Sequence, residues 1–393
     1  MFESRDDDYP KTVDDFKRIT GEFQATDRFR QPLLFAIGGR VFTANRMLAS
    51  VRYPVVNGPG QSLGTAAVLM KVLDVPPEGV QNVVMTTAQV VEALRYLDPF
   101  AKDGLTNHPN IRALVGARGM HESVATFIFD DIPPQGVEDS TLKLYGLSCR
   151  HFKPNQLNLA KIFTKFPNVS WHGDQPMDEY GVEQALFHAA FGGGEYAPHM
   201  VDKFPLYIHR VNAIRMGVRI TDQHKVRLGA HLGEGTTLMP GASYINFNAG
   251  TDGDSMVEGR ISSSGFVGKG TAVGGGASML GTLSGGNDIP ISTGRNCLLE
   301  ANCVLGIPIG DAVIIAAETA VLASTMVVVR IEGHRYDKRV LKARYLAGLP
   351  AITFRRNSQS GEVEVVRTQR NLDFARKLED GESILNVDLH QNN

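Results

Sequence analysis

Three cysteines in 393 residues are too few for a disulfide framework. No stretch of about twenty apolar residues occurs, so no spanning helix is expected. The segment Met1 to Asp8 is charged where a signal peptide would be greasy, and with so little cysteine this points to a cytoplasmic protein. A formal charge of -2 argues against bulk nucleic-acid binding. There is no GxGxxG after a strand and no P-loop, so the 41 glycines do not announce a dinucleotide or nucleotide-phosphate site. Nor do they announce disorder, because 42% of the residues are hydrophobic. The length exceeds what one core organises, and two domains and a tail are expected.

What is present is a beat of six. Apolar residues recur at Ile261, Val267, Val273, Met279, Ile291, Cys297, Cys303, Ile309, Ile315, Val321 and Val327, and only Gly285 breaks the series. Upstream it runs through Ile214, Ile220, Val226, Leu232, Leu238 and Tyr244, one residue out of phase, which places an irregular excursion between Tyr244 and Ile261. A helix repeats every 3.6 residues and a half-buried strand every two. A sustained six therefore requires short strands broken by turns at fixed offsets, the pattern of a parallel β-helix, and a sandwich with coincidental spacing is disfavoured. Glycines after the apolar site (Gly233, Gly268, Gly274, Gly310) suit a sharp corner. Small or β-branched residues four places on (Thr271, Ala277, Ala301, Val313, Thr319, Thr325) suit stacking inside a narrow prism. Cys297 and Cys303 fall on inward positions and read as buried thiols rather than a metal or redox pair.

The expected architecture is mainly β: an N-terminal α/β domain over 1–210, a parallel β-helix domain over 211–330, and a small β-rich extension over 331–393. In the first part Leu33 to Val41, Thr126 to Asp131 and Thr141 to Leu147 read as strands. Thr87 to Leu97, Leu157 to Phe166 and Glu183 to Phe191 read as helices, with a loop at Gly192 to Gly194. In the tail, strands are expected at Ala351 to Arg356 and Glu362 to Arg367 around a turn at Ser358 to Gly361, then a helix near Leu372 to Lys377.

The excursion, Asn246 to Arg260, is polar and glycine-rich but ends in Val257-Glu258-Gly259. A carboxylate with apolar neighbours suits a general base or acid; the plainer alternative is an exposed glutamate paired with Arg260. Gly274-Gly275-Gly276-Ala277-Ser278 offers unobstructed backbone N–H groups for an oxyanion or a thioester carbonyl, and is otherwise only a turn.

These residues carry a resemblance. Val226 to Leu232, Asn246 to Thr251, Ser255 to Ser262, Gly274 to Ser278, Gly281 to Gly286, Cys297 to Asn302, Phe354 to Ser358 and Leu385 to His390 are similar to tetrahydrodipicolinate N-succinyltransferases with a long N-terminal domain. The likeness covers about Ile214 to His390, and little is claimed for the first two hundred residues. It implies a left-handed parallel β-helix, an exception to right-handed crossovers. It also implies a homotrimer with active sites between neighbouring solenoids and transfer of succinyl from succinyl-CoA to the amine of ring-opened tetrahydrodipicolinate, on the diaminopimelate route to lysine. Carried over by position, the catalytic glutamate falls on Glu258. The acyl-CoA contacts fall on Arg260, Gly275, Ser278, Ala301, Ala316, Ala317, Ser324, Lys342, Arg355, Arg356, Asn357 and Ser358. Ala316 and Ser324 differ from the family's side chains, which points to backbone contacts there. Glu258 as base and Glu258 as carrier of a transient acyl anhydride both remain open. Lys342, Arg355 and Arg356 would supply charge for the CoA phosphates, unless they form only a solvated basic face.

Some relatives hold a divalent cation on the trimer axis with an Asp and a Glu; the matching positions here are His224 and about Ala242, so no metal site is expected there, with magnesium at the axis the alternative. His224 and His231 read as structural side chains. Among rivals, a hexapeptide carbonic anhydrase needs three zinc-binding histidines, and the solenoid has only these two. Sugar or serine acyltransferases rely on a histidine base, and the excursion has none. An acetyl-CoA-dependent N-acyltransferase of the same class, or a scaffold without activity, completes the set.

Overall fold

The computed structural model describes residues 9–102, 108–194, 196, 198, 200–211, 213–282 and 289–386. They fall in two units, one within Met1–Gly146 and Leu157–Pro205, the other within Leu147–Gln156 and Leu206–Asn393.

The first unit begins with α1 (Val13–Gln24), started by a capping box in which Thr12 and Asp15 satisfy each other's backbone N–H. There follow β1 (Leu34–Phe42), β2 (Leu48–Asn57), α2 (Leu63–Leu73), β3 (Val80–Val84), α3 (Thr87–Lys102), α4 (Pro109–Ala117), β4 (Ser123–Ile128) and α5 (Val137–Ser148). The four strands make an antiparallel sheet in the order β2-β1-β4-β3. α1 to α4 bury Phe16, Leu69, Val90 and Leu114 in one core with Phe35, Phe127 and Phe129 of the sheet side. A smaller sheet of β5 (Val169–His172), β6 (Gln175–Met177) and β7 (Met200–Asp202) closes around Trp171, whose indole N–H donates to the Asp202 carbonyl at 2.9 Å. Between them α6 (Glu179–Ala190) is capped by Asp178.

Two expected elements are corrected here. Thr141 to Leu147 is not a strand but the heart of α5, where every residue from 139 to 148 is buried. A helix buried on all sides, with Asp139 and Lys143 among its buried residues, shows no clear 3.6 period, so its sequence passes for a strand. Leu157 to Phe166 is not a helix: it holds only the 3₁₀ turn Ile162–Thr164. The Asn158 side chain accepts the Ala160 N–H at 3.1 Å and Lys161 is left-handed, so local side-chain bonding displaces the helical ladder.

The second unit is a parallel β-helix with three faces. The first stacks Arg219–Ile220, Thr236–Leu238, Ser255–Val257, Thr271–Val273, Leu298–Leu299, Ile314–Ile315 and Thr353–Arg356. The second stacks Tyr244–Ile245, Arg260–Ile261, Ser278–Met279, Val304–Gly306 and Ala320–Leu322. The third pairs Gly250–Thr251 with Phe266–Val267 and extends by bridges from His231 to Gly250 and from Phe266 to Ser292. Each coil buries its apolar residue against the coils on either side, and each fully buried Val, Leu or Ile contributes about 1.5–3 kcal/mol.

The beat of six is real, but its phase slips more often than the sequence reveals. Ile245, not Tyr244, is the buried residue of its rung. Thr251 and Val257 are buried too, so the stretch read as an excursion is itself a coil. One residue is added between Leu238 and Ile245, and two are removed between Val257 and Ile261. Later, Leu299 and Leu305 stack over Val273 and Met279, whereas the series picks out Cys297 and Cys303, two places earlier. All four are buried, because a strand in a closed prism points residues n and n−2 inward alike. A count of six cannot tell the two apart. Burial pushes both thiols up to about 12, as befits inert packing. Gly285, the break in the series, lies outside the described residues, as do 283–286 of the glycine-rich motif and 387–390 of the tail motif. Ile214 is 91% exposed, in a 3₁₀ turn before the first rung, and Ala301 faces outward, unlike Thr271, Ala277, Val313 and Thr319. The corner glycines serve space rather than a left-handed backbone: Gly268 has no positive φ, and a methyl there would strike the Gly294 carbonyl of the next coil.

The tail continues the stack. Thr353–Arg356 adds a rung over Ile314–Ile315 and turns back through Val363–Val366, as expected from sequence. The last helix, α7 (Gln369–Glu379), is fixed by buried Asn371, which donates to the Ala312 carbonyl at 3.0 Å and accepts from the Thr353 hydroxyl at 2.8 Å.

Candidate active site

The corner between the first and second faces is where the expected residues meet. Equivalent backbone bonds mark it coil by coil: Glu258 N–H to Val273 O at 2.8 Å, Gly274 to Leu299 at 2.7 Å, Glu300 to Ile315 at 2.9 Å and Ala316 to Phe354 at 2.9 Å. Glu258, Gly275, Ala301, Ala316, Ala317, Arg355 and Arg356 thus stand along one edge of the prism. Arg260 and Ser278 begin the face beside it.

The corner carrying Glu258 is the shortened one. Only Glu258, Gly259 and Arg260 separate Val257 from Ile261, whereas five residues, 274–278, fill the corner of the next coil. Gly259 lies against the Ala277 carbonyl, where a Cβ has no room. This tight turn places Glu258 next to Gly275: a methyl on Gly275 would stand 3.7 Å from Glu258 Oε2. The Glu258 side chain is half-buried and makes no hydrogen bond among the described residues. Arg260 does not pair with it; its Nε and Nη2 instead donate to Ser278 Oγ at 3.2 and 2.8 Å. The alternative of a Glu258–Arg260 surface pair is therefore set aside. A carboxylate without a partner, beside a glycine corner and a braced guanidinium, can take a proton while a backbone N–H and a cation hold the developing charges.

The glycine corner is selective in what it offers. The Gly274 N–H is spent in the ladder, and Gly275 O accepts from Asn302, but the Gly275 N–H donates to nothing among the described residues. Ala316 N–H is likewise spent on Phe354 O, and Ala317 N–H donates to Glu300 Oε2 at 3.1 Å, so neither alanine has its N–H to spare.

Ser324 and Lys342 do not join this edge. Ser324 follows the second face, next to Thr325, whose carbonyl accepts the Ala343 N–H at 2.8 Å, while Lys342 pairs across strands with Met326. Nor is the basic cluster as free as its sequence implies. Arg355 is bound through Nε and Nη2 to Glu364 Oε1, both at 2.7 Å, and Arg330 Nε holds Oε2 at 2.7 Å. Asn357 shapes the turn by accepting the Gln359 and Ser360 N–H groups at 2.9 and 3.2 Å, with Ser358 exposed at its tip. Arg355, Arg356 and Lys342 are all exposed, but only Arg356 and Lys342 of the three make no ion pair among the described residues.

Two carboxylates that hold arginines at this edge escaped the sequence. Glu300 occupies the same corner position as Glu258, two coils on, and braces Arg370 through Oε1 at 2.9 Å; its place after Leu299, like Glu258 after Val257, was the available signal. Glu364 is 2% exposed and left no signal beyond a lone charge in Val363-Glu364-Val365-Val366. Burial opposes its ionisation, but hydrogen bonds and charge from Arg355, with Asn357 and Arg330, outweigh this and hold the carboxyl below its ordinary value. Glu364→Gln should cost about 1–3 kcal/mol in urea unfolding at neutral pH, discounted because both arginines are half exposed. A depressed folded value gives stability that is full above the unfolded value of about 4.3 and is lost as pH falls through the folded one. The gap between wild type and variant should therefore narrow below about pH 4; a gap independent of pH rejects the assignment.

Magnesium, the implied metal, requires oxygen ligands. The imidazole of His224 and the methyl of Ala242 supply none, so these residues do not fit the ion. No group of three or more His, Cys, Asp or Glu side chains able to hold a metal occurs among the described residues.

A family model described as the N-terminal domain of tetrahydrodipicolinate N-succinyltransferase matches residues 14–164, in the part for which the sequence motifs supported little. Over nearly the whole chain, a 2,3,4,5-tetrahydropyridine-2,6-dicarboxylate N-succinyltransferase of Nitratiruptor is 37% identical, covering 94% of this chain and 99% of its own. One from Helicobacter pylori is 34% identical, covering 93% and 100%. A Campylobacter jejuni crystal structure, described as a 2,3,4,5-tetrahydropyridine-2-carboxylate N-succinyltransferase, superposes with a TM-score of 0.84 at 32% identity, over 92% of this chain and 99% of that one.

Proposed function

Since this chain belongs to the tetrahydrodipicolinate N-succinyltransferase family, we propose that Glu258 is the proton acceptor of its reaction. The enzyme is an acyltransferase that moves succinyl from succinyl-CoA to the amine of ring-opened tetrahydrodipicolinate. The products are N-succinyl-2-amino-6-oxopimelate and CoA, on the diaminopimelate route to lysine. In that step the amine nitrogen attacks the thioester carbonyl, a C–N bond forms, the C–S bond breaks and the thiolate leaves. Glu258 takes the proton the amine must lose, and the Gly275 N–H receives the oxyanion. The observation that carries this reading is the approach of Gly275 to within 3.7 Å of an otherwise unengaged Glu258 carboxylate, measured from the position a methyl would take.

Arg260, steadied by Ser278, is oriented to bind a carboxylate through its remaining N–H groups. The acyl-CoA runs along the corner past Ala301, Ala316 and Ala317 toward Arg355, Arg356, Asn357 and Ser358, with Arg356 the cation left for its phosphates. Ser324 and Lys342 lie off this edge, and a second copy is what brings them to the same coenzyme. The working form is accordingly a homotrimer of left-handed coils whose cleft excludes water from a corner that is open on one chain. No helix of the described residues is long and apolar enough to cross a membrane, in keeping with a cytoplasmic site of action.

A thiol-release assay with 2-aminopimelate as acceptor tests the donor. Succinyl-CoA should exceed acetyl-CoA by about 100-fold or more in kcat/KM, because a site built to pair a carboxylate strongly rejects the donor lacking it. Equal turnover, or an acetyl preference, defeats the reading, and light scattering that finds monomers under assay conditions removes the shared cleft.

A further inference from the structure

A different corner of the same coils holds a second pocket. It lies between the third and first faces, has a volume of about 500 Å³, and is lined by Arg150, His231, Glu234, Asp252, Asp254 and Lys269 with two glycines. That volume is within the range of about 300–1,000 Å³ usual for small-molecule sites.

Its chemistry is uneven in a telling way. Asp252 is taken by Lys153 at 2.6 Å, and Lys269 stands off Asp254 at 3.7 Å, too long for a hydrogen bond. Arg150 and Glu234 are exposed and have no partner among the described residues. At the floor His231 is 5% exposed. Its Nδ1 lies 2.8 Å from the Phe152 carbonyl, which can only accept, so Nδ1 carries the hydrogen. Burial pushes the imidazole below its ordinary value, and the neutral ring then presents Nε2 as a bare acceptor. A guanidinium fork, a free carboxylate and a buried neutral acceptor thus share one polar pocket. With Lys153 included, three fixed cations balance three carboxylates around it.

We propose that this pocket binds a zwitterionic α-amino acid, its carboxylate on Arg150 and its ammonium between Glu234 and His231 Nε2. A net-neutral lining disfavours a simple anion or a simple cation, and the separated, unpaired charges reward a ligand that carries both. The site is on a different corner from Glu258 and does not depend on the reading given to that residue.

The test is a thermal-shift screen of the intact protein against the twenty standard L-α-amino acids at millimolar concentration, with hits titrated by calorimetry. At least one should bind, and its analogues lacking the amine or the carboxylate should bind about ten-fold more weakly or worse, as expected for loss of one charge-assisted bond. Arg150→Gln and Glu234→Gln, both on exposed side chains whose change leaves packing intact, should each weaken binding to a similar extent. Glu258→Gln should not weaken it. The proposal falls if no amino acid binds, if both pocket variants bind as the wild type does, if the truncated analogues bind equally well, or if Glu258→Gln abolishes binding, which would make the ligand a visitor to the catalytic corner.

Discussion

Glu258→Gln should lower kcat for succinyl transfer to 2-aminopimelate by about 10²–10⁴-fold, the usual contribution of a positioned general base. The KM for succinyl-CoA should stay near the wild-type value, because the substitution is isosteric and no protein group depends on the carboxylate: it makes no hydrogen bond to a described residue. Melting temperature should hardly change for the same reason. An amide at this position cannot take the proton, while the Gly275 N–H and the Arg260–Ser278 pair are left as they were. Loss of rate with retained donor binding is therefore the signature of a group acting in the transition state. Activity within a few-fold of wild type would end the assignment. Intact-mass analysis of wild type mixed with succinyl-CoA alone adds a second check: a succinyl adduct on Glu258 would turn the base into a nucleophile.

The sequence yields the solenoid but not its exact winding. A period of six is legible because each rung buries one apolar residue per face. The slips at Tyr244 and Cys297 are not legible, because the apolar residues Ile245 beside the first and Leu299 two places after the second fit the count as well, and composition gives both readings equal support. The N-terminal unit resisted for the opposite reason: α5 is buried on every side and carries no amphipathic signal. The corner that carries Glu258 stood out in sequence through its motif, Ser255 to Ser262, whereas its three-residue length emerges only from strand register. Glu364 was invisible because pairing between Arg355 and Glu364 depends on how the tail hairpin closes.

The shortened corner leads to the other large effect, a contrast between two glycines. Gly259 has no left-handed backbone, yet a methyl group there would collide with the Ala277 carbonyl and approach the Gly274 carbonyl at 2.8 Å, both backbone atoms of the next coil that cannot swing aside. Gly259→Ala must push the corner outward, carrying Glu258 and Arg260 with it. A displacement near 1 Å at reacting groups costs about 100-fold in rate, and the strain adds about 1–3 kcal/mol of instability, so both kcat and melting temperature should fall. Gly275→Ala places its methyl 3.7 Å from Glu258 Oε2, an ordinary contact with no backbone in the way. That variant should melt like the wild type while losing activity, since the methyl occupies the space a substrate carbonyl needs beside the Gly275 N–H. Comparing kcat with melting temperature for the pair separates the two roles. If Gly275→Ala is fully active, the oxyanion is held elsewhere; if Gly259→Ala melts normally and turns over normally, the tight corner is not what positions Glu258.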